Sequence, residues 1–162
     1  MRFDEILCYL LDMDGTIYLG DHLLPGAHEF IQLLSKRGIQ YLFLTNNSSR
    51  SRVDYVEKAK KLGLDIRMEN IVTSGEATAS LLAERGIAAR IYLVGTPSLE
   101  QEFLDHGFEL TDEDPDSVVL GFDTTLTYDK LALLCSLIRN GTPYIATHPD
   151  LNCPTADGPI PD

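Results

Sequence analysis

Two aspartates separated by a single residue, Asp12 and Asp14, follow an apolar run, Ile6 to Leu11, and lead into Gly15-Thr16. A carboxylate can attack phosphorus and form an acyl phosphate. A second carboxylate beside it can protonate the departing oxygen and later take a proton from water. Two carboxylates and a phosphate crowd negative charge, so the chemistry calls for a hard divalent cation, and Mg²⁺ with oxygen ligands is the natural choice. Gly15 lets a backbone come close to a phosphate. An Asp-Gly turn after a strand is the plain alternative. Asp12-Met13-Asp14-Gly15-Thr16 set directly after a strand-like run is more specific than that.

A second segment, Thr45-Asn46-Asn47-Ser48, also follows an apolar run and precedes a helical pattern. A hydroxyl and free backbone N–H groups at a helix start make an anion site. N-capping by Ser48 or Ser49 is the competing reading and weighs equally while the segment is taken alone. Its place at a strand end next to that of Asp12 favours the phosphate site.

The elements that must carry these residues alternate. Ile6–Leu11 is predicted as a strand buried on both faces. Residues 26–37 form a helix with Ala27, Phe30, Ile31 and Leu34 on one face and Gly38 as its cap. Tyr41–Leu44 is the next strand. Residues 50–62 are helical, with Val53, Val56, Ala59 and Leu62 inward. Ile71-Val72 is a short strand, and Thr73-Ser74-Gly75-Glu76 resembles a capping box opening a helix that runs to Gly86. The rhythm then repeats: strand Ile91–Val94, a helix from Thr96-Pro97 to Gly107, strand Ser117–Gly121, a helix with Leu131, Leu134, Cys135 and Ile138 on one face, and strand Tyr144–Ala146. The Pro-, Gly- and Asp-rich tail, 149–162, reads as a loop. This alternation predicts an α/β fold on a parallel sheet, whose ligands bind at the carboxyl ends of the strands.

The 162 residues suit one domain or a domain and part of another. With 44% hydrophobic residues the chain reads as soluble and globular, and its net charge of -12 argues against nucleic acid and anionic membranes as partners. Residues 1–88 hold 10 Lys and Arg against 12 Asp and Glu, and residues 89–162 hold 3 against 13, a weak boundary signal. Cys8, Cys135 and Cys153 lack metal-site spacing, and the first two are expected as core thiols. No signal peptide or membrane span is read, so a cytoplasmic setting is the expectation, with self-association left open. The cluster Arg50, Arg52, Lys58, Lys60 and Lys61 reads as a solvated helix face. The acidic turn Asp112–Asp116 reads as a solvated loop.

Leu11–Thr16 and Leu44–Ser48 together resemble motifs I and II of the haloacid dehalogenase (HAD) superfamily. Leu24-Pro25-Gly26, Thr73-Ser74-Gly75-Glu76, Leu120-Gly121-Phe122-Asp123 and Ala146-Thr147-His148-Pro149-Asp150 are similar to its class IIA branch, the NagD-like and p-nitrophenyl phosphatase-like enzymes. The resemblance implies a Rossmann-like core over 1–88 and an inserted α/β cap of the C2 type over 89–162. It implies Asp12 as nucleophile and metal ligand, and Asp14 as acid/base with its carbonyl on Mg²⁺. Met13, Gly15, Thr45, Asn46 and Asn47 would contact phosphate, and His148 and Asp150 would screen substrates. The implied partner is a small phosphorylated metabolite: a sugar phosphate, a nucleotide or p-nitrophenyl phosphate. The family also uses a lysine in a Gly-Lys-Pro step and a later acidic pair. Lys36, Lys58, Lys60, Lys61 and Lys130 stand in no such step, and Asp157-Gly158-Pro159 is no substitute for the pair. The expectation is therefore a shortened form of a phosphatase, with a catalytically impaired fragment that binds phosphate or a partner as the alternative. A signalling receiver domain fits poorly, because the third strand ends in Thr73-Ser74 rather than an acceptor aspartate.

Overall fold

The computed structural model describes residues 6–87, 89–155 and 157–161. The chain forms two compact units. One takes in the chain up to Thr45, Arg52–Val72 and Asn152–Pro161, and the other takes in Asn46–Ser51 and Thr73–Leu151. Ala88, at the charge boundary read from sequence, lies outside the described residues.

The first unit opens with β1 (Cys8–Asp12), the hairpin β2 (Tyr18–Leu19) and β3 (His22–Leu23), and helix α1 (Ala27–Arg37). Then come β4 (Gln40–Thr45), α2 (Arg52–Lys61), a 3₁₀ turn over Met68–Asn70 and β5 (Ile71–Thr73). The sheet order is β1-β4-β5, with β1 and β4 parallel from Cys8 beside Gln40 to Asp12 beside Leu44. One face of this sheet is covered. Tyr9, Leu11, Tyr41 and Phe43 meet Ala27, Ile31 and Leu34 of α1 and Tyr55 and Ala59 of α2 in one core. The opposite face is open, with Leu10 64% and Leu44 37% exposed.

The reading of the first strand as buried on both faces is thus corrected. β1 alternates between exposed and half-buried positions, and among the described residues it is an edge strand. Its continuous apolar run hid a period of two, because the outward positions are also apolar. Cys8, on the open face, is exposed rather than a core thiol. On α2 the inward stripe is Tyr55, Ala59 and their neighbours, while Val53 is 51% exposed. The helix begins at Arg52, so Val53 sits in the first turn on the outward side.

The second unit runs α3 (Ser74–Arg85), β6 (Arg90–Val94), α4 (Pro97–Asp105), β7 (Glu109–Leu110), β8 (Ser117–Leu120), α5 (Tyr128–Arg139) and β9 (Tyr144–Ala146). Its sheet is parallel in the order β7-β6-β8-β9. Both faces are covered. Ile91, Leu93 and Val119 join Ala79 and Leu82 of α3 and Leu99 and Phe103 of α4. The alternate residues Tyr92, Val94 and Val118 join Leu134 of α5. Threonines cap the helices as the sequence predicts: Thr73 accepts from the Glu76 N–H at 3.0 Å and Thr96 from the Leu99 N–H at 3.4 Å. On α5 the inward face is turned by about one position from the expected one. Leu134 is buried with Leu133, Leu137 and Ile138 beside it, while Leu131 and Cys135 are exposed. The tail is not wholly a loop: β10 (Asn152–Cys153) and β11 (Ile160–Pro161) form an antiparallel hairpin in the first unit.

Candidate active site

The loop after β1 is a tight knot around one carbonyl. Met13 C=O accepts from the N–H groups of Ile17 at 2.9 Å, Thr16 at 3.3 Å and Tyr18 at 3.4 Å, and the Gly15 N–H donates to Tyr18 C=O at 2.7 Å. Gly15 sits at φ +80°, a left-handed conformation that any side chain would strain. The Met13 side chain is in the core, so what it can offer a ligand is backbone. This knot presents the two carboxylates. Asp12, at the open end of β1, accepts from Thr16 Oγ1 at 3.1 Å. Asp14 faces Tyr18 and Lys58: Tyr18 OH donates to its Oδ2 at 3.5 Å, and Lys58 Nζ lies 3.9 Å from its Oδ1.

Thr45 ends β4, one residue beyond the Asp12–Leu44 register pair. It is buried, and its Oγ1 shares a hydrogen bond with Tyr55 OH at 3.4 Å. Tyr55 and Lys58 are three residues apart on α2 and so lie on one face of the helix. That face supplies a hydroxyl to Thr45 and a cation to Asp14. Sequence reasoning placed Lys58 on a solvated face and did not single out Tyr55. The spacing that could have found both was Tyr55, Lys58, Ala59 and Leu62, an i, i+3, i+4, i+7 stripe.

The rest of the second motif belongs to the other compact unit. Asn46 Nδ2 donates to Asp150 Oδ2 at 2.9 Å, and Asn46 C=O accepts from Ser74 Oγ at 2.6 Å. Asn47 Oδ1 accepts from the Ser49 N–H at 3.0 Å and from Ser49 Oγ at 2.6 Å, closing an Asx turn. Ser48 does not cap α2. Its buried hydroxyl accepts from the Phe122 N–H at 2.8 Å and from Thr147 Oγ1 at 3.0 Å. Thr96 Oγ1 donates to Ser49 C=O at 2.9 Å. His148 follows β9, half-buried, and Asp150 spends its carboxylate on Asn46.

Three glycines gather around one side chain of this unit. A Cβ on Gly75 would lie 2.5 Å from a Leu99 methyl, one on Gly95 2.7 Å from another, and one on Gly121 would overlap Leu99 and touch Ser48 Oγ. The Gly75 and Gly121 segments, which read in sequence as family markers, serve close packing here.

Asp12 and Asp14 offer oxygen donors alone, which fits a hard divalent cation. The set is partial. No group of three His, Cys, Asp or Glu side chains among the described residues could hold a metal. No described helix is long and apolar enough to cross a membrane.

With fold and site in view, comparison with known proteins is direct. The family model for haloacid dehalogenase-like hydrolases matches residues 9–109. An acid sugar phosphatase of Staphylococcus aureus (strain USA300) is 38% identical over 154 residues, which are 94% of this chain and 60% of that protein. The crystal structure of a 4-nitrophenylphosphatase from Thermotoga maritima superposes with a TM-score of 0.93 at 50% identity, covering 98% of this chain and 61% of the other. A glycerol phosphate phosphatase from Mycobacterium tuberculosis, in complex with magnesium, gives a TM-score of 0.87 at 34% identity, covering 98% and 49%. A parallel α/β fold with this strand-end motif is therefore that of the HAD-type phosphatases. The chain belongs to the haloacid dehalogenase-like hydrolases, in their class IIA branch. It spans about three fifths of the length of the curated relatives it matches.

Proposed function

We propose that this chain carries the nucleophile and acid/base of a Mg²⁺-dependent phosphatase acting on small phosphate monoesters. The observation that supports it best is the Met13-centred loop, which presents Asp12 and Asp14 together at the end of β1. In this reading an Asp12 oxygen, oriented by Thr16, bonds to phosphorus as the ester P–O bond breaks. Asp14 gives its proton to the departing oxygen. It then takes a proton from the water that attacks the aspartyl phosphate, releasing phosphate and restoring Asp12. Thr45 and the backbone of the Met13–Gly15 loop would hold the phosphoryl oxygens, and the family resemblance adds Asn46 and Asn47 to that role. Mg²⁺, bound by Asp12 and the Asp14 carbonyl, would offset charge at the phosphate. His148 and Asp150 would bear on substrate choice, Asp150 through Asn46. A core to residue 88, a cap from residue 89 and a cytoplasmic setting belong to the same reading. The names of the relatives favour sugar phosphates and 4-nitrophenyl phosphate as substrates.

A second reading, phosphate binding without turnover, is favoured by the absence of a third metal carboxylate among the described residues. One experiment separates the two. The protein is incubated with Mg²⁺ and 4-nitrophenyl phosphate or a hexose phosphate, and phosphate release and the mass of the Asp12 peptide after acid quench are followed. Turnover that falls by at least about 10³-fold in Asp12→Asn supports the phosphatase. Labelling of Asp12 without turnover supports an intermediate case, in which the nucleophile reacts and the aspartyl phosphate is not hydrolysed. Neither labelling nor turnover, with inorganic phosphate still bound, supports the second reading, and a protein that neither turns over nor binds phosphate sinks both.

A further inference from the structure

The basic cluster around α2 is not uniform. Lys60 and Lys61 are exposed, whereas the Lys58 side chain is only 15% exposed. Lys58 Nζ lies 3.8 Å from the centroid of the Tyr18 ring, and Tyr18 is fully buried. An ammonium over an aromatic face is attracted by the ring quadrupole, the more so when partly desolvated. From that seat Nζ is 3.9 Å from Asp14 Oδ1, while the Tyr18 hydroxyl addresses Oδ2 at 3.5 Å. Holding a long lysine side chain costs conformational entropy. Here the ring and the carboxylate offset that cost together.

We propose that Lys58 is a positioning residue for the phosphatase reaction, holding the Asp14 carboxyl, with Tyr18, where it can meet the leaving oxygen. The inference rests on the phosphatase reading above. As the P–O bond to the leaving group breaks and Asp12 bonds to phosphorus, the departing oxygen takes its proton from Asp14. That transfer needs the carboxyl within hydrogen-bond reach of one atom, and a misplacement of about 1 Å costs about 10²-fold in rate. Asp14 stands in a glycine-containing turn, bridged through its backbone to Tyr18, and Lys58 and Tyr18 are among the neighbours that bear on its side chain. Lys58 addresses one oxygen and Tyr18 the other. The 3.9 Å separation is too long for a hydrogen bond, so Lys58 acts by charge and seat and leaves the carboxyl its proton-transfer geometry.

The test uses the leaving group. kcat/KM covers every step up to loss of the alcohol. An alkoxide leaves only with a proton, whereas 4-nitrophenolate leaves without one. Lys58→Met is expected to lower kcat/KM for glycerol phosphate by about 10- to 100-fold and for 4-nitrophenyl phosphate by less than about threefold. Lys58→Arg is expected to recover part of the alkyl phosphate rate, and Lys60→Met to change neither. Equal losses on both esters, or no loss, overturn the proposal. If the wild-type protein hydrolyses neither ester, the phosphatase reading fails, and placement is decided separately by ¹³C NMR. The Asp14 carboxyl resonance, assigned with Asp14→Asn, should move in Lys58→Met and in Tyr18→Phe and stay in Lys60→Met. A resonance indifferent to Lys58 overturns the proposal whatever the activity.

Discussion

Each compact unit contains a lysine–aspartate pair, and the two pairs are built differently. In the second unit Lys130 Nζ lies 2.8 Å from Asp123 Oδ2, and it also donates to Gly95 C=O at 3.1 Å and Thr125 Oγ1 at 3.3 Å. The Asp123 side chain is 2% exposed, and its other oxygen accepts from the Thr125 N–H and hydroxyl. In the first unit Lys58 stands 3.9 Å from Asp14, whose side chain is 23% exposed. The first arrangement is closed and short, as a structural pair must be to offset desolvation. The Lys58–Asp14 arrangement is longer and its carboxylate more exposed, and in the proposed reaction that carboxyl meets the leaving oxygen. The sheets differ in the same way. The second unit covers both faces of its sheet, and the first leaves one face of β1 and β4 bare.

The contrast breaks first, and most heavily, at Leu99. It is fully buried against the backbones of Gly75, Gly95 and Gly121. Leu99→Ala leaves a cavity that three glycine backbones fill poorly, so the loss should be about 4 kcal/mol, toward the upper part of the range for such changes. Hydrogen exchange is the sharp readout. Protection should fall across β6, β8, α3 and α4 and hold in β1 and β4. Uniform loss along the chain would contradict the description of two separately built cores.

Lys130→Met is the next largest. It leaves the Asp123 carboxylate buried with Thr125 as its donor among the described residues, which should cost about 3 kcal/mol in urea unfolding. The cost stays at the low end because Lys130 is itself 28% exposed. Lys58→Met, the matching change in the longer pair, should cost less, about 1 to 2 kcal/mol, from the lost seat on the Tyr18 ring and the 3.9 Å ion pair. If the two variants lose equal stability, the distinction between a structural and a working pair is wrong. Tyr55→Phe sharpens the same point at the end of β4. It removes the Thr45–Tyr55 hydrogen bond at a cost of about 1 kcal/mol, and it should weaken inhibition by inorganic phosphate because Thr45 loses one of its orienting partners.

The sequence made the alternation of strands and helices legible because glycines and capping threonines mark the ends, as Thr73, Thr96, Gly38 and Gly86 do. It made Asp12, Asp14 and Thr45 legible as candidates because their types and spacing match what the proposed phosphoryl transfer would need. It hid which face each element buries wherever both faces are apolar. Leu10 and Leu11 are equally apolar, yet the first is exposed and the second half-buried. The supporting residues were hidden for another reason. Lys58 sits among four other cations, and only the helix phase, set by where α2 begins, separates it from Lys60 and Lys61. The short pairings β2–β3, β7 and β10–β11 were missed because two-residue strands have no period to read.

The smallest effect lies in the acidic turn that reads in sequence as a solvated loop. Asp116 Oδ2 accepts from the N–H groups of Arg90 at 2.9 Å and Ala89 at 3.1 Å, while the Arg90 guanidinium reaches Asp114 C=O at 2.9 Å and Glu113 C=O at 2.6 Å. The backbone donors, Arg90 first and then Ala89, hold the Asp116 carboxyl below the usual carboxylate range. A group that is more acidic in the folded state binds its proton later as pH falls. Its stabilisation is therefore complete above the unfolded value of about 4 and is lost as pH drops through the lowered folded value. Asp116→Asn removes that term, because an amide does not titrate in this range. The variant should be slightly less stable than wild type near neutral pH, and the two should converge on acidification below about pH 4. Urea midpoints followed from pH 7 down to about pH 3 measure it. No gap between the two at any pH over that span would mean the turn is held by Arg90 alone, with Asp116 a bystander.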